Sequence, residues 1–345
     1  MIEGDCLHEL TRLAAASIDA VVCDPPYGID FQGQRWDGAA IRESAAQHAR
    51  QRLTHGEAFQ TWTRAWANEC LRVLKPGGHL LAFGSPRTAH RLACGIEDAG
   101  LQLRDTLMWL YGTGMPKSRR MPGGTATALK PAWEPILLAR RPPDGTVQDN
   151  LARYGTATLN TDACRVDGSF PANLLLDHSP ACTDTRCATD CAVATLDTAA
   201  ERTRTQSGPR RPISRLFYSP KASRRERDTG CERLPARTLD LFPRAQRSGP
   251  APRPAKNPHP TVKPLAVMRW LVKLATPPGG LVLDPFAGSG TTGAAAILEQ
   301  RRFVGIERDP AYVQIARARI SHSAAPRRDG ARPAVPFHPA AKARR

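Results

Sequence analysis

The chain has 345 residues, 41% of them hydrophobic and 23% charged, which is enough apolar content for a sizeable core and excludes wholesale disorder. No stretch approaches the roughly 18–20 unbroken apolar residues that span a bilayer, and Met1–Asp5 lacks the basic and apolar regions of a signal peptide, so a cytoplasmic protein without a membrane partner is expected. The formal charge is +17, and much of it is local: residues 201–250 carry 13 Lys or Arg against 5 Asp or Glu, and residues 321–345 carry 6 against 1. Such clusters suit a polyanion, because each phosphate contact releases condensed counterions, and they equally suit a solvated basic surface. Nine cysteines, an odd number in a chain of this length, argue against a disulfide framework.

In chain order, Ser17–Cys23 reads as a buried parallel strand stopped at Asp24-Pro25-Pro26-Tyr27. Glu57–Leu74 has helical spacing, with Phe59, Trp62, Trp66, Cys70 and Val73 on one stripe. Lys75-Pro76-Gly77-Gly78 is expected to stop that helix before a strand at His79–Gly84. A helix over Thr88–Ala99 and strands over Leu103–Tyr111 and Glu134–Ala139 follow. From Arg141 to Pro258 the periodicity is poor, and Pro, Gly, Arg, Thr and Asp dominate. That stretch is expected to be an insertion with disordered parts and a recognition task. Order returns with a helix from Pro264 to Ala275, proline at its first position, and a strand at Gly280–Asp284. A glycine turn, a helix to about Gln300, a strand at Arg302–Glu307 and a helix at Ala311–Ile320 complete the pattern before a basic tail over 321–345 that reads as disordered.

Two places carry chemistry. Asp284-Pro285-Phe286-Ala287-Gly288-Ser289-Gly290-Thr291 joins a strand to a helix, where small residues let a ligand approach the backbone and free N–H groups. The next strand ends at Glu307, which in a doubly wound sheet sits beside the same crevice and suits a ribose diol. A tight turn and nothing more is the alternative. Asp24-Pro25-Pro26-Tyr27 combines a carboxylate, an unpaired proline carbonyl and an aromatic face at a strand end. Asp24 and the Pro25 carbonyl suit the two hydrogens of a ring amino group, with Tyr27 stacked on the ring. A capped turn with a buried tyrosine is the alternative.

Together these segments resemble the DNA amino-methyltransferases that use S-adenosylmethionine. The base-binding motif stands at Asp24, Pro25, Pro26 and Tyr27, and the cofactor motif at Phe286–Gly290, an order similar to the permuted β group. His259-Pro260-Thr261-Val262-Lys263-Pro264 is also similar to that group, Gly4-Asp5-Cys6 resembles its acidic motif at the cofactor's adenine, and Leu129–Pro135 with Phe170–Asn173 resembles a phage-type branch. The resemblance implies an α/β, Rossmann-like methyltransferase fold: a mostly parallel twisted sheet with helices on both faces, plus the irregular insert. Residues 1–140 and 259–320 would form the catalytic domain, and 141–258 the target-recognition region. It implies cofactor contacts from Asp5, Lys263, Asp284, Phe286, Ala287, Gly288, Ser289, Gly290, Thr291 and Glu307.

The implied reaction methylates an exocyclic amino nitrogen of a base flipped out of double-stranded DNA. Asp at position 24 favours adenine N6, with cytosine N4 as the alternative and a non-catalytic nucleic-acid-binding module as the remote one. Arg210, Arg211, Arg215, Lys221, Arg224, Arg225 and Arg227 are the expected phosphate contacts. A companion restriction endonuclease and a homodimer are the further partners that the family suggests. His178, Cys182, Cys187 and Cys191 put four soft ligands into 14 residues, which a structural zinc or an incidental loop would explain.

Overall fold

The computed structural model describes residues 1–49, 52–111, 122–129, 131–165, 170–176, 188, 191, 194–195, 222–237 and 254–325. Strand β1 (Ile2–Glu3) leads into helix α1 (Cys6–Thr11), which Asp5 caps by accepting the Leu7 amide at 3.0 Å. Strand β2 (Ile18–Cys23) is buried at all six residues, as a strand covered on both faces should be. Helices α2 (Ala39–Gln47) and α3 (His55–Val73) follow, α3 opening on a capping box between Thr54 and Glu57. Helix α3 then runs straight into β3 (Leu74–Phe83), so Lys75–Gly78 does not separate the two. Those residues form a bulge inside the strand. Ile18 pairs with Leu74 but Ala20 pairs with His79, and Gly77 supplies a φ of +74°.

Helix α4 (Ala89–Asp98), strands β4 (Gln102–Leu110) and β5 (Trp133–Arg140), helix α5 (Val147–Tyr154) and strand β6 (Leu174–Leu175) come next. The short helix α6 (Arg224–Asp228) precedes α7 (Leu265–Ala275), β7 (Leu281–Asp284), α8 (Thr291–Leu298), β8 (Arg302–Glu307) and α9 (Pro310–Ala324). Pro264, expected as the first helical residue, stands instead at the N-cap of α7, and the helix begins one residue later at Leu265. The eight strands are ordered β1-β8-β7-β2-β3-β5-β4-β6. Only β5 runs against the others; every remaining pairing is parallel. The reversal brings the first residues of β5 to the edge where the parallel strands end.

One apolar cluster joins one face of the sheet to α3 and α4 through Phe59, Trp66, Leu80, Leu92 and Ile96. A second covers the other face with α7 and α8 through Phe83, Trp109, Trp270, Leu271 and Ala295. Helices on both faces of a mostly parallel sheet are the architecture expected. Residues 141–165, expected within the insert, pack on this body. Asn150 is buried and donates to the Pro76 carbonyl at 3.0 Å, and buried Cys164 accepts the Trp270 indole N–H at its carbonyl at 3.4 Å. Helix α6, also from the expected insert, caps α7: Glu226 Oε1 accepts the Leu265 amide at 2.6 Å. Among the described residues, no helix is long and apolar enough to cross a membrane.

Candidate active site

Strand β7 lies between β2 and β8, so the C-terminal ends of these three strands open into one cleft. It holds about 470 Å³, within the range of small-molecule sites. Asp24, Pro25, Pro26 and Tyr27 line one wall, and Asp284, Phe286, Ala287, Gly288, Ser289, Thr291 and Glu307 line the other, with Asp5 and Lys263. Gly290 lies behind this wall instead. Its φ is +77°, and a Cβ there would meet the Ala316 backbone at 2.8 Å.

The first wall is built from charged side chains. Asp24 follows the last residue of β2, and Lys263 Nζ lies 2.6 Å from its Oδ2. The Tyr27 hydroxyl stands 2.8 Å from Asp24 Oδ1 and 3.0 Å from Glu134 Oε2. Lys263 also lies 3.4 Å from Glu134 Oε2 and donates to the Tyr27 hydroxyl at 3.1 Å, while the Tyr111 hydroxyl donates to Glu134 Oε1 at 3.1 Å. Lys263, assigned to the cofactor by its motif, therefore meets the carboxylates of the opposite wall. Burial raises the Asp24 carboxyl above its usual range; the Lys263 ammonium opposes that and Glu134 reinforces it. Burial pulls the Lys263 ammonium down, but the two carboxylates outweigh it and hold its pKa above the ordinary lysine value. The Tyr27 phenol is pushed well up by burial and by both acids.

The loop carrying Tyr27 is fixed by Asp37. This buried carboxylate accepts the amides of Tyr27 (2.5 Å), Gly28 (2.8 Å), Ile29 (3.1 Å) and Phe31 (2.8 Å). Its pKa is raised by burial, with the four amides pulling the other way. Gly28 takes a φ of +64° against Phe59, where a Cβ would approach the ring to 2.6 Å.

The second wall is built from backbone. Asp284 accepts the Phe286 amide at 2.9 Å and the Thr292 hydroxyl at 2.5 Å, yet burial still lifts its pKa to about 7. Gly288 has a φ of +50°, and its amide donates to Glu307 Oε2 at 2.8 Å, while Asp309 donates to Oε1 at 2.8 Å. Burial raises the Glu307 carboxyl. Behind the turn, buried Arg319 donates to the Ser289 carbonyl (2.8 Å), the Ser289 hydroxyl (3.0 Å) and the Thr291 hydroxyl (2.9 Å). A Cβ on Gly288 would stand 2.7 Å from His259 Nε2. His259 Nδ1 accepts the Thr261 amide at 3.3 Å, so Nε2 carries the proton. Burial and the cations Lys263, Arg227 and Arg319 lower its pKa to about 3, leaving the ring neutral.

Glu134, Asp37, His259 and Arg319 were not among the expected site residues. A lone acid in the apolar run Trp133–Arg140 was the available signal for Glu134. Of the expected DNA contacts, Arg210, Arg211, Arg215 and Lys221 lie outside the described residues. Arg225 is exposed, and Arg224 donates to the Pro254 carbonyl at 2.5 Å. Arg227 is half-buried and donates to the His259 carbonyl at 2.5 Å, an internal contact beside the second wall. Of the expected zinc ligands, His178, Cys182 and Cys187 lie outside the described residues, and Cys191 is buried in a small cluster with Leu176. Among the described residues no group of three His, Cys, Asp or Glu is arranged to hold a metal ion.

A family model described as DNA methylase, of the N6/N4 methyltransferase type, matches residues 18–318. The chain is similar to type II methyltransferase M.HindIII of Haemophilus influenzae, 25% identical over 357 residues that cover 92% of this chain and 93% of that protein. DNA adenine methyltransferase YhdJ of Escherichia coli is 26% identical over 321 residues, covering 93% of this chain and 82% of its own. Among solved structures, the cytosine-N4-specific PvuII DNA methyltransferase matches with a TM-score of 0.55 at 17% identity, over 92% of this chain and 84% of that one, a likeness of fold.

Proposed function

The chain belongs to the N6/N4 DNA methylase family, and we propose that it transfers the methyl group of S-adenosylmethionine to the N6 amino nitrogen of adenine within a specific site of double-stranded DNA. The observation that carries this reading is the shared cleft, with the Asp24 carboxylate on one wall and the Gly288 turn with Glu307 on the other. The residues fit the donor. Gly288 leaves the space a Cβ would fill, Glu307 keeps lone pairs for a ribose diol beyond its two amide contacts, and Asp5, Asp24, Asp284, Glu307 and Asp309 make the lining acidic toward a sulfonium cation. When bound, S-adenosylmethionine supplies an electrophilic methyl group.

An exocyclic amino nitrogen is a weak nucleophile because its lone pair is delocalised into the ring. Asp24 and the Pro25 carbonyl accept its two protons, which favours a pyramidal nitrogen and stabilises the positive charge that develops on attack. Lys263 and Tyr27 fix the Asp24 rotamer from both oxygens, so this stabilisation is organised in advance. Asp37 holds the loop that presents Tyr27 to the base. Reaching this pocket requires the base to leave the duplex stack, at a cost of about a few kcal/mol that phosphate contacts from the basic segment offset. Arg224 and Arg225 are the exposed described members of that set, with Arg210, Arg211, Arg215 and Lys221 beside them in sequence. Asp at position 24 and the adenine named for the Escherichia coli relative favour adenine. The type II name of the Haemophilus influenzae relative supports a companion endonuclease as partner. With DNA as substrate the protein works in the cytoplasm.

DNA from a host expressing the chain, digested to nucleosides and weighed by mass spectrometry, tests this. N6-methyladenine is expected. N4-methylcytosine would transfer the reading to the other base, and no methylated nucleoside at all would overturn it.

A further inference from the structure

Asp24 lines the pocket assigned above to the flipped base, and a second carboxylate, Glu134, lies behind it. The Tyr27 hydroxyl stands between them, 2.8 Å from Asp24 Oδ1 and 3.0 Å from Glu134 Oε2, one proton for two acceptors. Lys263 Nζ joins the same acids from another side, at 2.6 and 3.4 Å. Tyr111 donates to the remaining Glu134 oxygen. Among the described residues, the titratable groups around Glu134 come from three places: Asp24 and Tyr27 beyond β2, Tyr111 beyond β4 and Lys263 ahead of α7. Asp24, Glu134 and Lys263 together carry one negative charge. Taking up one proton neutralises this set, and methylation of an amino group releases one proton.

We propose that Glu134 is the terminal acceptor of the proton released by methyl transfer, reached from Asp24 through the Tyr27 hydroxyl. The inference rests on the amino-methylation reading above. As the amino nitrogen bonds to the methyl carbon, the carbon–sulfur bond breaks and its electron pair stays on sulfur. The nitrogen then carries a positive charge, one N–H bond breaks and the proton passes to Asp24 Oδ1. Tyr27 takes that proton and gives its own to Glu134 Oε2. The products are a neutral secondary amine, a neutral thioether and a protein one proton richer, and proton loss to water resets it. The reversed direction of β5 is what brings Glu134 into reach, since a parallel strand would carry this residue to the far edge of the sheet.

The test follows single-turnover transfer from methyl-labelled S-adenosylmethionine to an unmethylated duplex across acid to alkaline pH. It compares full-length wild type, Glu134→Gln and Tyr27→Phe, with donor and duplex affinity measured for each. Glu134→Gln keeps the side-chain length and an acceptor for Tyr27 but takes no proton. Expected are unchanged affinities, a rate lower by roughly 10²-fold, and loss of the acid-side fall in rate. Tyr27→Phe is expected to change the pH profile in the same way, and it decides the matter if Glu134→Gln does not fold. A wild-type rate and profile in Glu134→Gln would overturn the proposal. So would a loss of affinity that matches the loss of rate with the pH profile unmoved, the signature of a tether. Wild type methylating DNA while Glu134→Gln keeps pace removes only this relay. Wild type methylating no base removes the reading beneath it.

Discussion

The two walls of the cleft are made in opposite ways. Beyond β2 the chemistry sits in side chains: two acids, a lysine and a tyrosine joined by hydrogen bonds of 2.6–3.1 Å. Beyond β7 it sits in the backbone, where Gly288 takes a left-handed φ and its amide is pinned to Glu307. A wall of charges can change its protonation during a reaction. The amides of the second wall have a fixed charge pattern and change only if the chain is bent, although the acids beside them, Asp284 and Glu307, can titrate. The first arrangement suits a group that must respond as charge develops, the second a cradle that must keep its shape for each new ligand.

This contrast breaks if substitutions on the two walls give the same phenotype. Asp24→Ala should lower single-turnover methyl transfer by roughly 10²–10³-fold, the scale of losing one preorganised electrostatic partner, while the donor still binds. Calorimetric titration beside the rate measurement checks both halves, and full activity would remove Asp24 from the pocket's chemistry. Gly288→Val should do the reverse. A β-branched residue at a φ of +50°, with Cβ 2.7 Å from His259 Nε2, distorts the turn. About 1–3 kcal/mol of such strain weakens donor affinity by on the order of 10- to 100-fold.

The smallest effect concerns Asp284, on the second wall. Its folded pKa of about 7 lies above the ordinary aspartate value of 3.8. The unfolded chain therefore loses this proton first as pH rises, and the stability present below the unfolded pKa is lost as pH climbs through the folded one. Asp284→Asn keeps an acceptor for Thr292 and has no such term. Its Tm should gain on wild type by roughly 1–4 °C between about pH 5 and about pH 8. A difference in Tm that stays constant over that range would show that Asp284 is ionised throughout.

Much of the frame was legible in the residues. Ala20–Cys23 is an apolar run ending at an acid and two prolines, and Leu281–Asp284 ends at a glycine turn, so both strand ends announce themselves. Glu134 was not, because apolar patterning gives no strand direction: the residue reaches Tyr27 and Lys263 only because β5 is antiparallel to β3 and β4. Asp37 escaped for a different reason. Its partners are four backbone amides, which leave no pattern of side chains to read. Lys263 was found by motif but put with the cofactor, since a motif supplies proximity to the cleft and not the direction of a long side chain. Residues 224–228 look like one more basic stretch, yet Glu226 among the arginines is the cap of α7.

That short helix bears on any attempt to redirect sequence choice by exchanging middle segments with a relative. A Cβ on Gly230 would come within 3.0 Å of the Arg319 backbone, and Arg319 in turn grips Ser289 and Thr291. Residues 222–237 thus brace the Ser289–Thr291 turn, although they hold five arginines of their own. A graft whose seams leave them in the host's own sequence keeps the brace behind the Ser289–Thr291 turn, whereas one that replaces them loosens that turn in the same cut.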